Sequence, residues 1–165
     1  MDYKVFIGIG SNLGNSLKNC LKGIDYISKN PCITQVVPSS LYITSPVSDI
    51  KQNNFINCAI SIEWGGSPFE LLNYLQSIEH EMGRIRREKN GPRIIDLDIL
   101  LFSNLVINTP DLVVPHPELH KRRFAIMPCL EIDPHIIHPI SKRPLVDFLN
   151  EIDEKQTCKK LPLDI

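Results

Sequence analysis

The sequence predicts an α+β fold, a βαββαβ plait in which an antiparallel sheet carries helices on one face. Three observations lead to this prediction. Residues 3–9 alternate between two faces, as strand residues do, and two later segments repeat apolar side chains at helical spacing. The third observation is that residues 94–102 form an apolar run of strand length.

The first half of the plait lies within residues 3–63. Val5, Ile7 and Ile9 share one face of the first strand, and residues 10–15 predict a turn. The helix that follows carries an apolar stripe at Leu17, Cys20, Leu21, Ile24 and Ile27. Two β-rich runs come next, residues 33–44 and 55–63.

The second half begins with the clearest helix start in the chain. Ser67 and Glu70 form a predicted capping box, and Pro68 occupies the first helical position. One face of this helix is traced by Leu71, Leu75, Ile78 and Met82. Gly83 is placed to end it, and the apolar run 94–102 completes the sheet.

Further elements are predicted after the plait. They are a short strand at 106–107, a helix around 121–131 and a last amphipathic helix that includes Leu145 and Ile152. We therefore expect one domain, residues 1–152, with a ferredoxin-like plait and additional C-terminal helices. Residues 153–165 are expected to form a polar tail.

Composition and charge narrow the functional class. The 165 residues include 18 Lys and Arg against 19 Asp and Glu, a formal net charge of −1. This balance gives no global basic field, so we expect no nucleic-acid partner and no membrane. Five Cys without a C-x-x-C pair indicate neither a disulfide framework nor a zinc site, and no apolar stretch could span a bilayer. We expect a cytoplasmic protein with reduced thiols.

An acidic pair lies inside the last strand of the predicted plait. Asp96 and Asp98 are two residues apart, so both carboxylates should face one side while Ile95, Leu97, Ile99 and Leu101 face the other. Adjacent carboxylates on an apolar strand repel each other and are costly to desolvate. Mg²⁺ resolves that conflict, because it binds one or two carboxylates together with substrate phosphates. The alternative is a solvated face of an edge strand.

A basic segment directly precedes the acidic pair. Residues 84–93 hold five basic side chains against one acidic one: Arg84, Arg86, Arg87, Lys89 and Arg93 against Glu88. Alone, this segment is typical of a solvated loop. Next to a metal-type carboxylate pair it favours a polyphosphate clamp, because guanidinium groups bind phosphate oxygens in a bidentate manner. Together the two features are typical of a phosphoryl-transfer site.

A glycine-rich stretch, residues 8–14, lies between the first strand and helix. Its spacing, G-x-G-x-x-x-G, is one residue away from the dinucleotide-binding pattern, and two strands follow in succession. Both facts oppose a doubly wound parallel sheet. We interpret the stretch as a tight turn.

Residues 89–100, Lys-Asn-Gly-Pro-Arg-Ile-Ile-Asp-Leu-Asp-Ile-Leu, resemble the 6-hydroxymethyl-7,8-dihydropterin pyrophosphokinase family of folate biosynthesis. The R-x-x-D-x-D core with its preceding Gly-Pro is highly specific to that family. Other segments agree in order: 9–14, 42–46, 55–57, Glu79 with 83–86, 114–117, and Arg122 with Phe124. The resemblance covers about residues 4–150.

The resemblance implies an enzyme that transfers the terminal pyrophosphate of ATP to the hydroxymethyl group of the pterin and releases AMP. It implies that Asp96 and Asp98 hold two Mg²⁺ ions. The positions that match nucleotide-binding residues are Gln76, Glu79, Arg84, Arg86, Arg93, Ile99, His116 and Arg122. Those that match the pterin pocket are Thr44, Ser45, Val47, Phe55, Asn57 and Phe124. Phe55 and Phe124 would sandwich the ring while Asn57 reads its edge.

In this mechanism Arg84, Arg86 and Arg93 would stabilise the charge that develops on the leaving group. We expect a monomer that acts on ATP and the pterin. Two other functions remain open at this point. One is a kinase that transfers a single γ-phosphoryl group. The other is a non-catalytic βαββαβ ligand- or RNA-binding module, although residues 55–63 supply only Phe55 of the aromatic and basic side chains that an RNA-recognition strand requires.

Overall fold

A computed structural model describes residues 2–47, 51–83 and 92–162. The strands are β1 (Tyr3–Ser11), β2 (Ile33–Pro38), β3 (Tyr42–Thr44), β4 (Phe55–Trp64), β5 (Asp96–Phe102), β6 (Ile107–Asn108), β7 (Val113–Val114) and β8 (Cys158–Lys160). The helices are α1 (Ser16–Ser28), α2 (Pro68–Glu81) and α3 (Arg123–Ile132), with two 3₁₀ helices, Leu119–Lys121 and Leu145–Glu151. In these ranges no helix is long and apolar enough to cross a bilayer.

The main sheet confirms the predicted plait. Its order is β5-β1-β4-β3-β8, with β2 also paired to β4, and all its pairs are antiparallel. The β-rich run 33–44 divides into two strands that pair with opposite ends of β4. Strands β6 and β7 form a separate two-stranded sheet.

Each face of the sheet has its own hydrophobic core. On one face, alternate residues of β1, such as Val5 and Ile7, pack in a cluster with Leu71 and Leu75 of α2 and with residues of α1. On the opposite face a second cluster includes Phe6, α3 and the last 3₁₀ helix. The predicted C-terminal helices therefore cover the face that α1 and α2 leave open, although the last of them is a 3₁₀ helix.

The start of α2 has the predicted capping geometry. The Ser67 hydroxyl accepts a hydrogen bond from the Glu70 amide at 3.1 Å, and the Ser67 amide donates to the Glu70 carboxylate at 3.2 Å. These two bonds satisfy donors that the first turn of a helix leaves unpaired. Beyond the end of α2, Gly83 has φ +89°, a backbone conformation that favours glycine.

The prediction that Leu101 shares a face with Leu97 and Ile99 is wrong. The register of β5 against β1 shifts between Phe6 and Ile7, so that Leu100 is an extra residue, a β-bulge. One inserted residue inverts the side-chain alternation after it. Leu101 consequently packs in the cluster of α3 rather than in that of α1 and α2.

The C-terminal segment contains a strand that periodicity does not predict. Strand β8 pairs with β3 and adds an edge strand to the sheet, with Thr44 opposite Cys158. Its side chains are half-buried or exposed, so no apolar alternation marks it in the sequence. The position of β8 is set by the edge of β3, whose backbone groups pair with it.

A hydrogen-bonded carboxylate ties α3 to the edge of the sheet. Tyr42 is 3% exposed, and its hydroxyl donates to Glu131 of α3 at 2.5 Å. The other carboxylate oxygen accepts from the amide and hydroxyl of Ser40 at 2.9 and 2.8 Å. Burial opposes ionisation of Glu131, but these hydrogen bonds outweigh it and lower the pKa of the carboxyl.

We expect Tyr42→Phe to reduce the free energy of unfolding by about 1–3 kcal/mol, because a partly buried hydrogen bond to a charged group is lost. The matched control is Tyr26→Phe, since within the described ranges no hydrogen bond of the Tyr26 hydroxyl is found. Urea unfolding at several pH values measures both. A carboxyl with a lowered pKa stabilises the fold above its unfolded value of about 4.5, so the Tyr42→Phe deficit should shrink as pH falls below it. A pH-independent deficit would contradict the role of Glu131.

Candidate active site

The face of the sheet that α3 covers is depressed where two glycines lie in β1, the strand between β4 and β5. One cross-strand row runs from Asp96 through Gly10 to Asn57. In the next row Asp98 lies opposite Gly8. Residues two apart on a strand share a face, so both glycines face the cleft. Gly10 leaves space between the carboxylates of β5 and the side chains of β4, whereas the Leu100 side chain packs against Gly8. The alternation predicted for Asp96 and Asp98 is confirmed by this register.

With Asn57 in its observed position, the middle of the first row has no room for a side chain. A Cβ atom on Gly10 would lie 2.4 Å from the Oδ1 atom of Asn57, well inside van der Waals contact. The interpretation of residues 8–14 as a tight turn is wrong for Gly10, which is a strand residue; Gly8 lies in the strand predicted for residues 3–9. The interpretation applies to Gly14, where φ is +72°. The period-2 spacing of Gly8 and Gly10 is the signal that could have indicated a cleft floor.

These residues line a cleft of about 740 Å³, part of which opens to solvent. Eleven of the residues singled out by sequence lie around it: Thr44, Ser45, Val47, Phe55, Asn57, Arg93, Asp96, Asp98, His116, Arg122 and Phe124. They come from β3 and the residues directly after it, from β4, from β5 and the residues directly before it, and from the stretch between His116 and the first turn of α3. The structure thus brings the predicted pterin-binding and metal-binding residues into one site.

The remaining predicted residues do not line the cleft. Gln76 is exposed on α2, and Ile99 is 4% exposed with its side chain in the core of α1 and α2. Glu79 is buried behind β5, where its carboxylate accepts a hydrogen bond from the Leu97 amide at 2.8 Å. Leu97 lies between the two aspartates in sequence, and its amide is on the outer edge of β5, the edge that faces away from β1. Arg84 and Arg86, with the rest of the predicted basic segment up to residue 91, lie outside the described residues.

One end of the cleft combines aromatic rings with a fixed amide. The Nδ2 atom of Asn57 donates to the Thr44 hydroxyl at 2.7 Å, and Asn57 is only 6% exposed. The amide is therefore held with Oδ1 above Gly10, as an acceptor aimed into the cleft. Phe55 and Phe124 are half-buried in the lining, with the guanidinium of Arg122 lying 5.6 Å from the centre of the Phe124 ring. This end can bind a flat, polar-edged ring.

The other end of the cleft is charged. Arg93 contacts Asp96, with Nη1 at 3.4 and 3.3 Å from the two carboxylate oxygens. Both side chains are mostly buried, at 19% and 25% exposure, so this pair is screened less than a surface ion pair. A guanidinium held beside a carboxylate that faces the cleft can exchange that partner for a phosphate oxygen.

Asn12 fixes the position of Arg93 and was missed by sequence reasoning. Its side chain, 3% exposed, accepts a hydrogen bond from the Arg93 amide at 2.8 Å. The same side chain donates to Gln52 Oε1 at 2.8 Å and to the Asn53 carbonyl at 3.0 Å. The amides of Asn12 and Leu13 in turn donate to the Arg93 carbonyl. A buried Asn directly after a strand is consistent with many turns, so only the tertiary contacts show this function.

His116 is held as a neutral ring in the lining. Burial, and then the positive charge of Arg122, lower the pKa of His116 from 6.5 to about 4. Its Nδ1 atom accepts a hydrogen bond from the Glu118 amide at 3.1 Å, and its own amide donates to the Leu100 carbonyl at 2.9 Å. A neutral imidazole whose Nδ1 is an acceptor carries its proton on Nε2. His116 is thus a hydrogen-bond donor at neutral pH.

Asp96 and Asp98 are the residues that could hold a metal ion. Within residues 2–47, 51–83 and 92–162, no group of three His, Cys, Asp or Glu side chains has the proximity that a protein-only metal site needs. Two carboxylates on one face of a strand instead fit a cation that shares its ligands with a substrate. Mg²⁺ commonly binds in that way.

Comparison with known proteins agrees with the geometry. Residues 6–134 match the family described as 7,8-dihydro-6-hydroxymethylpterin-pyrophosphokinase. The 2-amino-4-hydroxy-6-hydroxymethyldihydropteridine pyrophosphokinase of Aquifex aeolicus is 40% identical over 154 residues, which cover 93% of this chain and 95% of that protein. The enzyme of the same name from Bacillus subtilis is 39% identical, with 80% and 79% covered.

Solved structures show the same fold. The family name is abbreviated HPPK. A crystal structure of HPPK-DHPS in complex with substrates superposes with a TM-score of 0.67 at 16% identity. It covers 92% of this chain, which spans 43% of that longer chain. The wild-type HPPK-DHPS of Plasmodium falciparum gives a TM-score of 0.66 at 12% identity, with 92% of this chain and 41% of that one covered. At such identities the likeness concerns the fold alone. The family match and the two bacterial relatives show that the chain belongs to the 7,8-dihydro-6-hydroxymethylpterin pyrophosphokinase family.

Proposed function

We propose that the cleft transfers the β- and γ-phosphoryl groups of ATP, as one pyrophosphate, to the hydroxymethyl group of 6-hydroxymethyl-7,8-dihydropterin, and that AMP leaves. This is the reaction of the family in folate biosynthesis. One observation supports this proposal: the charged residues and the aromatic residues line the same cleft. Asp96 and Arg93 line one end of a single cleft, and Asn57 with two Phe rings lines the other.

The pterin is proposed to bind at the aromatic end, between Phe55 and Phe124. Two ring faces bury the flat heterocycle, and the fixed Oδ1 of Asn57 accepts a hydrogen bond from an N–H group on its edge. The Thr44 hydroxyl, which accepts from Asn57, keeps its own proton for a ring acceptor. Ser45 and Val47 complete this wall of the pocket.

The triphosphate is proposed to bind at the charged end. Arg93 and His116 line the cleft there, one as a cation and the other as a neutral donor. Arg122, which lies beside the Phe124 ring, is proposed to contact the nucleotide from the aromatic end. Arg84 and Arg86 are proposed to join Arg93 in stabilising charge on the leaving α-phosphate. Such stabilisation accelerates the reaction only where it is stronger in the transition state than in the bound substrate.

The nucleoside is proposed to bind along the outer edge of β5, near Gln76 and Glu79. Backbone groups alternate between the two edges of a strand, so Ile99 presents its amide on the same edge as Leu97. Ile99 would therefore contact the nucleotide through its backbone, because its side chain is buried in the core.

Asp96 and Asp98 are proposed to hold two Mg²⁺ ions together with the triphosphate oxygens. When bound, Mg²⁺ neutralises phosphate charge and orients the phosphoryl groups. The carboxylates' own contribution is to place that charge beside the β-phosphate, within the cleft that holds the pterin hydroxyl. We propose that the enzyme acts as a monomer in the cytoplasm, without nucleic-acid or membrane partners.

Replacing Asp96 or Asp98 by Asn should reduce turnover by about 100-fold or more, because each change removes an anionic ligand while keeping side-chain shape. Asp147→Asn, on an exposed position of the last 3₁₀ helix, is the matched control. Rates measured across a Mg²⁺ titration, with thermal unfolding alongside, test this. An Asp98→Asn enzyme with normal rates and normal Mg²⁺ dependence would disprove the metal assignment.

The bond that breaks is tested with labelled ATP. Incubation with Mg²⁺ and the pterin should yield AMP and a pterin diphosphate in equal amounts, with a γ-phosphate label recovered on the pterin. Attack at the β-phosphorus requires this stoichiometry. ADP with a pterin monophosphate would instead show a γ-phosphoryl kinase, and ATP that is bound but not consumed would show a binding module.

His116 should remain neutral from pH 8 to pH 6, since its pKa lies at about 4. Its ring resonances, assigned by comparison with a His116→Asn variant, should titrate near pH 4 in the folded protein. The unfolded chain takes up this proton near pH 6.5, so His116 lowers stability progressively as pH falls between those values. A midpoint near 6.5 in the folded enzyme would refute the neutral-donor role.

A further inference from the structure

We infer that the segment of residues 152–160 positions both walls of the pterin end of the cleft, with Gln156 as the positioning residue. This inference rests on the assignment of that end to the pterin. The two walls, residues 44–47 and 122–125, are far apart in sequence, and the C-terminal segment hydrogen-bonds to both.

The first wall is held through Ser45. Its amide donates to the Thr157 carbonyl at 3.1 Å, and its hydroxyl accepts from the Thr157 amide at 2.9 Å. The same hydroxyl lies 3.3 Å from the Lys155 carbonyl. These contacts continue the β3–β8 pairing by one residue beyond Thr44, to the point where the chain enters the cleft.

The second wall is held through Gln156. Its Oε1 atom accepts a hydrogen bond from the Arg123 amide at 3.1 Å, and its Nε2 atom donates to the Lys121 carbonyl at 3.0 Å. Arg123 returns two bonds to the segment, from Nε to the Gln156 carbonyl at 3.0 Å and from Nη2 to the Ile152 carbonyl at 3.3 Å. The segment therefore holds residues 121–123 through backbone atoms of Lys121 and Arg123 and through the side chain of Arg123.

Gln156 takes the place of a local helix cap. Helix α3 begins at Arg123, and Arg122 before it makes no side-chain capping bond. The first amides of a helix have no partner within the helix, and a side-chain acceptor usually comes from the preceding residue. Here the acceptor comes from a residue 33 positions later in the chain. The orientation of the first turn of α3, which carries Phe124, consequently depends on the C-terminal segment.

Apart from Ile152, which is 8% exposed and packs in the core under α3, the segment contributes little to the core. Gln156 is half-buried and Thr157 is exposed, so its connections to the two walls are polar rather than hydrophobic. The segment therefore acts as a polar strap, which fixes the orientation of the two walls but adds little to the free energy of unfolding. Its loss should therefore affect binding at the pterin end more than it affects folding or the charged end.

The test compares Gln156→Ala with Glu154→Ala, an exposed position two residues earlier in the same segment. Calorimetry measures the Kd of 6-hydroxymethyl-7,8-dihydropterin in the presence of saturating Mg²⁺ and an ATP analogue with a methylene α–β bridge. A separate titration measures the Kd of the analogue. We expect Gln156→Ala to raise the pterin Kd about tenfold, equivalent to about 1.4 kcal/mol, with the analogue Kd changed less than about twofold. Glu154→Ala should change neither.

Two further readouts distinguish positioning from general damage. Gln156→Glu keeps an acceptor for the Arg123 amide, so it should restore most of the lost pterin affinity. In steady-state kinetics, Gln156→Ala should raise the KM for the pterin while kcat changes less than about twofold, because Arg93, Asp96 and Asp98 lie on neither of the two walls.

The outcomes separate this inference from the pocket assignment. If Phe124→Ala weakens pterin binding and Gln156→Ala does not, the positioning role of Gln156 is disproved, while the assignment of the pterin pocket is retained. If pterin and nucleotide affinity fall together in Gln156→Ala, the role is structural and the inference is also overturned. If Phe124→Ala leaves pterin affinity unchanged, the pocket assignment is wrong, and the inference falls with it.

Discussion

The absence of side chains at two positions of β1, an interior strand of the sheet, is the constraint around which the site is built. Gly8 and Gly10 lie on the cleft face of β1, between the strand that carries the carboxylates and the strand that carries Asn57. Glycine weakens a strand interior, because it loses more backbone entropy and packs no side chain. Strand β1 pairs with β4 on one side and with β5 on the other, and this pairing holds its backbone in place. The depression therefore persists in an ordered sheet.

The sheet separates stability from chemistry. Its α1 and α2 face is filled by apolar residues in alternation, and most of the largest fully buried side chains lie there. The opposite face combines a smaller core under α3 with the cleft and its charged residues. Burial of apolar area on one face can thus compensate for the cost of desolvating Asp96 and Arg93 on the other.

The cleft also depends on contacts that join distant segments. Asn12 connects Arg93 to residues 52–53, and Glu131 connects α3 to β3. Each connection is a hydrogen bond made by a buried or half-buried polar group, which is costly to leave unpaired. The two ends of the site are therefore supported by different polar contacts, and this arrangement allows them to be perturbed separately.

Local patterns were enough to predict the βαββαβ order, the capping box of Ser67 and the shared face of Asp96 and Asp98, because each arises from a short-range periodicity or a cap. The R-x-x-D-x-D motif was enough to identify the family. The bulge at Leu100, the role of Gly10 in the cleft floor and the contacts of Asn12 were not predictable in this way. Each of them is set by what lies opposite the residue in space. Strand register and packing between segments far apart in the chain decide that, and no local pattern encodes it.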